Sequence, residues 1–122
     1  MLSFPPTVRI FLCTSPTDMR KAFDGLARMT IDVVRQDPLS GHLFVFLNRR
    51  RNRVKILYWD RDGYALWAKR LERGTFQLPA AKEDGLEIDH PTLAMMLGGI
   101  DLARTRRRVR FALPTLTVSP SA

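Results

Sequence analysis

The sequence predicts an α+β domain. An N-terminal strand and one long amphipathic helix would pack on an antiparallel β-meander of three to four strands, with a short helix towards the C-terminus. Three observations predict it. An apolar run at 8–13 precedes a stretch in which hydrophobic residues recur at helical spacing. Three strand-like segments then follow one another, joined by polar links too short for a crossover. A last apolar segment, Pro91-Thr92-Leu93-Ala94-Met95-Met96-Leu97, ends on Gly98-Gly99.

Taken in order, residues 1–7 contain Pro5-Pro6 and form an extended lead-in, and 8–13 is β-branched and aromatic enough for a strand. Ser15-Pro16-Thr17-Asp18 carries a helix start, with Ser15 at the N-cap, Pro16 in the first helical position and Asp18 where a carboxylate complements the helix dipole. From there Met19, Ala22, Phe23, Leu26, Met29, Thr30, Val33 and Val34 mark one face. Asp24, Arg28 and Asp32 stand four apart on the other. Asp37-Pro38 ends the helix, because the residue before proline avoids the α region, and Ser40-Gly41 completes the turn.

Strands are predicted at 43–47, 54–59 and 64–71. Asn48-Arg49-Arg50-Arg51-Asn52-Arg53 links the first two and Asp60-Arg61-Asp62-Gly63 the next two. A fourth short strand is placed at 75–78, before Pro79. Residues 80–89 form a polar, acidic-leaning connection, 91–97 the last helix, and 104–110 a basic run. The expected organisation is a single domain over 1–113 and a flexible tail over 114–122.

At 122 residues the chain supports one core, and its 45% hydrophobic and 26% charged residues are ordinary for a globular protein. Its charge balance is not. Twenty Lys and Arg oppose twelve Asp and Glu, giving +8, and most of the cations are Arg. A guanidinium is a planar fork that matches phosphate oxygens. Such self-repelling charge points to a polyanionic partner, nucleic acid first, against the alternative of a basic surface kept for solubility. Cys13 is alone, which excludes an intramolecular disulfide, a zinc finger and a CxxC pair; a buried, inert thiol is expected. The lone cysteine suits a reducing compartment, no signal-peptide pattern opens the chain, and no apolar run approaches the roughly 20 residues of a membrane helix, so the cytoplasm is the expected location.

Arg49, Arg50, Arg51, Arg53 and Lys55 place five cations within seven residues at a hairpin tip, which suits a phosphate backbone; an exposed turn that tolerates charge is the other reading. Lys69, Arg70 and Arg73 extend this surface. Arg104, Arg106, Arg107, Arg108 and Arg110 form a second cluster, either an arm that orders on nucleic acid or a docking segment for an acidic protein. Tyr58, Trp59, Tyr64 and Trp67 interleave with cations, as base-stacking surfaces do, although large aromatics on central strands mostly fill cores. Tyr58 and Trp59 are adjacent and must point to opposite faces of the sheet, one into the core and the other towards solvent. Asp60 and Asp62 flank a turn glycine without the rest of a calcium loop, and His42 and His90 stand in no metal or triad pattern, so neither a metal nor a cofactor is expected. No catalytic constellation is legible, and the chain is expected not to be an enzyme.

Four motifs carry a resemblance. They are Thr17-Asp18-Met19-Arg20-Lys21-Ala22-Phe23-Asp24-Gly25-Leu26, Ser40-Gly41-His42-Leu43-Phe44-Val45-Phe46, Lys55-Ile56-Leu57-Tyr58-Trp59-Asp60, and Asp62-Gly63-Tyr64 with Leu66-Trp67-Ala68-Lys69-Arg70-Leu71-Glu72-Arg73-Gly74. In this order they resemble the TnpB-type accessory protein encoded by the second open reading frame of the bacterial insertion-sequence family sixty-six. That family is distinct from the RNA-guided nuclease that shares the TnpB name. The resemblance runs over 8–100, and residues 109–122 have no counterpart in it. It implies a helper of transposition beside a separate transposase, with DNA and that transposase as partners and no catalytic residues to carry over. Three readings follow: a DNA-binding accessory factor, an adaptor that docks its Arg segments on the transposase without touching DNA, and a cryptic nuclease using Asp18, Asp60 or Asp62 with magnesium.

Overall fold

All four residues of β1 (Ile10–Cys13) and all five of β2 (Leu43–Leu47) are buried, because both strands run through the interior of a sheet covered on two faces. The computed structural model describes residues 4–79 and 86–98. β1 and β2 pair in parallel, from Ile10 opposite Leu43 to Cys13 opposite Phe46. A parallel pair needs a crossover, and here it contains α1 (Phe23–Met29), which continues through a π-helical turn, Thr30–Val34. β2 then turns back into β3 (Arg53–Asp60) and β3 into β4 (Gly63–Arg70), both antiparallel. β5 (Leu86–Ile88) returns to the far edge beside β1, antiparallel, and leads into α2 (His90–Leu97). The sheet order is β4-β3-β2-β1-β5.

Strand alternation sorts the core into two layers. Phe11, Cys13, Phe44, Phe46 and Leu57 face α1, where Leu26 and Val34 close over them. Ile10, Leu12, Leu43, Val45, Val54 and Ile56 face the other way, towards Leu93, Met96 and Leu97 of α2. Full burial of Phe44 and Phe46 stabilises the fold by about 1.5–3 kcal/mol each.

Four expectations are corrected. The helix predicted from Ser15 begins only at Phe23, after Ala22, which makes no side-chain cap. Residues 15–22 are held by competing bonds: the Thr17 amide donates to the Leu47 carbonyl at 2.8 Å, the Asp18 carboxylate accepts from the Arg20 amide at 2.9 Å, and the Lys21 amide donates to the Asp18 carbonyl at 3.0 Å. An Asp side chain that bonds its own backbone two residues on builds a turn in place of a helix. At the other end Thr30 Oγ1 donates back to the Leu26 carbonyl at 2.9 Å, and Arg35 closes the helix in the left-handed region at φ 64°, two residues before Asp37. The helical segment is thus shorter than its periodicity suggests.

The N-terminal strand starts at Ile10 rather than at Val8, whose amide donates to the Pro5 carbonyl in a turn. Residues 75–78 form no strand; Phe76 is buried there and its amide donates to the Arg51 carbonyl at 2.7 Å. β5 lies in the segment read as a polar connection, and three residues are too few to carry a strand period. The boundary and tail expected at 113 and 114–122 lie outside the described residues.

Candidate nucleic-acid interface

The tip between β2 and β3 is built on Asn48. Its Oδ1 accepts from the amides of Asn52 and Arg53, both at 3.0 Å, and its Nδ2 donates to the Asn52 side-chain oxygen at 2.7 Å. Arg51 turns the chain with φ 58°, a conformation that side chains other than Gly and Asn rarely adopt. A second layer of bonds locks the loop from outside: the Leu71 amide donates to the Asn52 carbonyl at 2.8 Å and the Phe76 amide to that of Arg51. The backbone is therefore fixed while Arg49, Arg50, Arg51 and Arg53 remain exposed. Among the described residues none of these four forms an ion pair with a carboxylate.

The register extends this end of the sheet. Arg53 lies opposite Arg70, and Arg73 falls between Leu71 and Phe76, the two residues that bond the tip. Arg70 is shared, since its Nε donates to Glu72 at 3.1 Å. The two predicted lysines serve the fold. Lys55 Nζ donates to the carbonyls of Met19 and Lys21, both at 2.8 Å, and Lys69 Nζ, on the opposite face, to the carbonyl of Leu97 at 2.7 Å. Sequence reasoning missed that Lys21 belongs to the same end as the tip; the contact spans 34 residues and no local pattern signals it. Arg104, Arg106, Arg107, Arg108 and Arg110 lie outside the described residues.

Of the other singled-out residues, Asp18 and Arg20 form a bidentate pair whose hydrogen bonds hold the Asp18 carboxyl down at about 2. Leu26 is core, Phe23 is exposed, and Gly25 packs under the Lys21 side chain. Tyr58 and Trp59 do point to opposite faces, yet both are half-buried: Tyr58 meets Phe4 edge-on at 5.1 Å and Trp59 meets Tyr64 edge-on at 5.2 Å. Trp67 packs on the α2-side core. In the β3–β4 turn, Arg61 carries the positive φ and Gly63 pairs with Asp60.

The acidic candidates do not meet. Asp18 belongs to the tip end, whereas Asp60 and Asp62 lie at the far end of β3, roughly 20 Å of strand away. Among the described residues no three His, Cys, Asp or Glu side chains converge as a metal site. His42 Nδ1 accepts from the Arg9 amide at 2.9 Å, and His90 Nε2 lies 2.7 Å from the Val8 carbonyl oxygen. An open groove of about 480 Å³ beside β5 is lined by Val8, Arg9, Glu87, Asp89 and His90. Its polar groups are paired internally: Arg9 grips Glu87 at 2.6 and 3.0 Å, lowering the Glu87 carboxyl, and Asp89 caps α2 by accepting from the Thr92 amide. No described helix is long and apolar enough to cross a membrane.

These features define a small mixed-sheet α+β domain whose distinctive surface is a rigid, Arg-rich hairpin end. The chain belongs to the IS66 Orf2-like family (TnpB_IS66), whose model matches residues 8–107. It is similar to two uncharacterised proteins of Sinorhizobium fredii, y4hO and y4jC. The first is 39% identical over 101 residues, covering 83% of this chain and 88% of the relative. The second is 33% identical over 101 residues, covering 83% and 86%. No solved structure matches.

Proposed function

We propose that the chain is a DNA-binding accessory factor of insertion-sequence transposition, without a catalytic centre of its own, that works beside a separate transposase. The observation that carries this reading is the tip: four arginines on a backbone braced by Asn48 and by two further hydrogen bonds, with no carboxylate partner among the described residues. A prearranged cation array contacts phosphates without ordering a loop first, so less entropy is lost on binding. Family membership supports the setting, because a transposition complex handles DNA ends.

The test is the salt dependence of binding. Each phosphate contact contributes a slope of about −0.9 in log affinity against log salt. Substituting Arg49, Arg50, Arg51 and Arg53 by Ala should flatten the slope by several such steps while far-ultraviolet circular dichroism stays unchanged. An unchanged slope removes the tip from the binding surface.

The adaptor reading has its own support in the exposed apolar side chains Phe23, Ile31 and Leu39 in and just after the crossover helix. A mobility shift by purified protein alone favours the DNA reading. A shift only when transposase is added favours the adaptor. For the nuclease reading, the separation of Asp18 from Asp60 and Asp62 offers no support, and nicking of supercoiled plasmid with magnesium is its test.

A further inference from the structure

Arg53 and Arg70 face one another directly across the β3–β4 ladder. The Leu71-to-Asn52 backbone bond makes 52 and 71 a hydrogen-bonded pair, so Arg53–Arg70 and Lys55–Ala68 are the non-hydrogen-bonded pairs on either side of Val54–Lys69. In such pairs side chains stand closest, with Cβ atoms roughly 4.5–5.5 Å apart, and like charges placed there repel. One residue pair along the same face, Ala68 stands opposite Lys55 and fills little space. A pocket of about 120 Å³ lies there, lined by the side chains of this face, Met19, Arg53, Lys55, Ala68 and Arg70, and by Val54 and Lys69 between them, the latter with its Nζ drawn to Leu97 on the opposite face.

The donors around this pocket are unequally engaged. Lys55 Nζ is held by the Met19 and Lys21 carbonyls, so it contributes mainly its charge. Arg70 gives its Nε to Glu72, and no carboxylate among the described residues pairs with Arg53. Three cations thus face one competing carboxylate, Glu72, while the Asp18 carboxylate nearby is taken by Arg20.

The geometry points to a discrete seat for one phosphate-type oxyanion, gripped between the guanidinium groups of Arg53 and Arg70 over Ala68. The bridging anion removes the cross-strand repulsion, and two planar forks match its oxygens. This deepens the DNA-binding reading and rests on it for its ligand: the seat would take one phosphodiester, while the tip arginines follow the neighbouring backbone.

The probe is inorganic phosphate, titrated into the ¹⁵N-labelled full chain at constant ionic strength against chloride. Expected are saturable shifts of the Arg53 and Arg70 Nε–H signals and the Ala68 amide, with Arg49 and Arg50 unmoved. Arg53→Gln and Arg70→Gln should each weaken phosphate roughly tenfold, the loss of a charged hydrogen bond. Glu72→Gln, which releases the Arg70 Nε, should tighten it. Ala68→Met keeps every charge and fills the pocket at an exposed strand position, so it should abolish saturation without altering the melting curve. Non-saturating shifts shared equally by Arg49, Arg50 and Arg53, or wild-type phosphate binding by Ala68→Met, overturn the seat. The two readings fail separately. If the seat saturates but DNA binding shows no salt slope, the DNA reading falls and the oxyanion site stands. If the four tip substitutions flatten the slope while phosphate never saturates, the seat falls and the DNA reading stands.

Discussion

Lys69 Nζ donates to the carbonyl oxygen of Leu97 at 2.7 Å, tying β4 to the last turn of α2. A cation there satisfies a carbonyl left without an intrahelical partner and meets the negative end of the helix dipole. With no basic residue of its own in that turn, α2 takes its C-terminal charge from a strand. Lys69→Met should keep the packing of the stem, lower stability by about 1 kcal/mol and speed hydrogen exchange in α2 first. Equal acceleration across the sheet would deny this local role.

The Asn48 side chain makes three hydrogen bonds within its own loop. Asn48→Ala leaves the amides of Asn52 and Arg53 without this acceptor and should cost about 2 kcal/mol by chemical denaturation. DNA affinity should fall with it although no charge is removed, because the arginines must then be ordered on binding. A stability loss with unchanged affinity would show that the braced backbone is irrelevant to binding.

Acid should loosen the fold at two ion pairs and one helix cap. The carboxyls of Asp18, Glu87 and Asp89 titrate below their ordinary values, each chiefly through a side-chain hydrogen bond, from Arg20, Arg9 and Thr92 respectively. Groups depressed in the folded state stabilise it above their unfolded value, and that contribution is lost as pH falls through the folded value. The melting temperature should therefore drop from the ordinary Glu value of 4.5 down towards the Asp18 value of about 2. Because these pairs are exposed, the effect should be small and should shrink in ~1 M salt. Glu87→Gln, which removes the ion pair between β5 and Arg9 just before β1, should flatten the upper part of that window; an identical pH profile would argue against the assignment.

Cys13 is 1% exposed on the α1 side of the sheet, between Phe11 and the loop at Ser15. Thiol reagents should modify it only as fast as the chain opens. Labelling in the native protein that is much faster than unfolding would contradict this burial.

Much of the meander was legible because its signals are local. Apolar and aromatic runs bounded by polar turn residues marked β2, β3 and β4 to within a residue at each end, and no long-range contact is needed to read them. The crossover helix was legible in its middle, where Leu26 and Val34 reach the core, and not at its start. There Ser15, Pro16 and Asp18 satisfy every local rule for a cap, and the Thr17 bond to Leu47 with the Asp18 turn overrides them. β5 escaped because Leu86 and Ile88 alone carry its alternation.

By itself the sequence determined the α+β class, the strand–helix–meander order, the excess of arginine and the placing of four of those arginines at and beside one tight loop. Each follows from spacing or composition along a short window. Only the tertiary structure decided the parallel placement of β1, the facing of Arg53 with Arg70, and the diversion of Lys55 and Lys69 into structural bonds. Those bonds join residues 36 and 28 positions apart, and contacts at such separations depend on how the sheet is ordered rather than on any neighbouring residue.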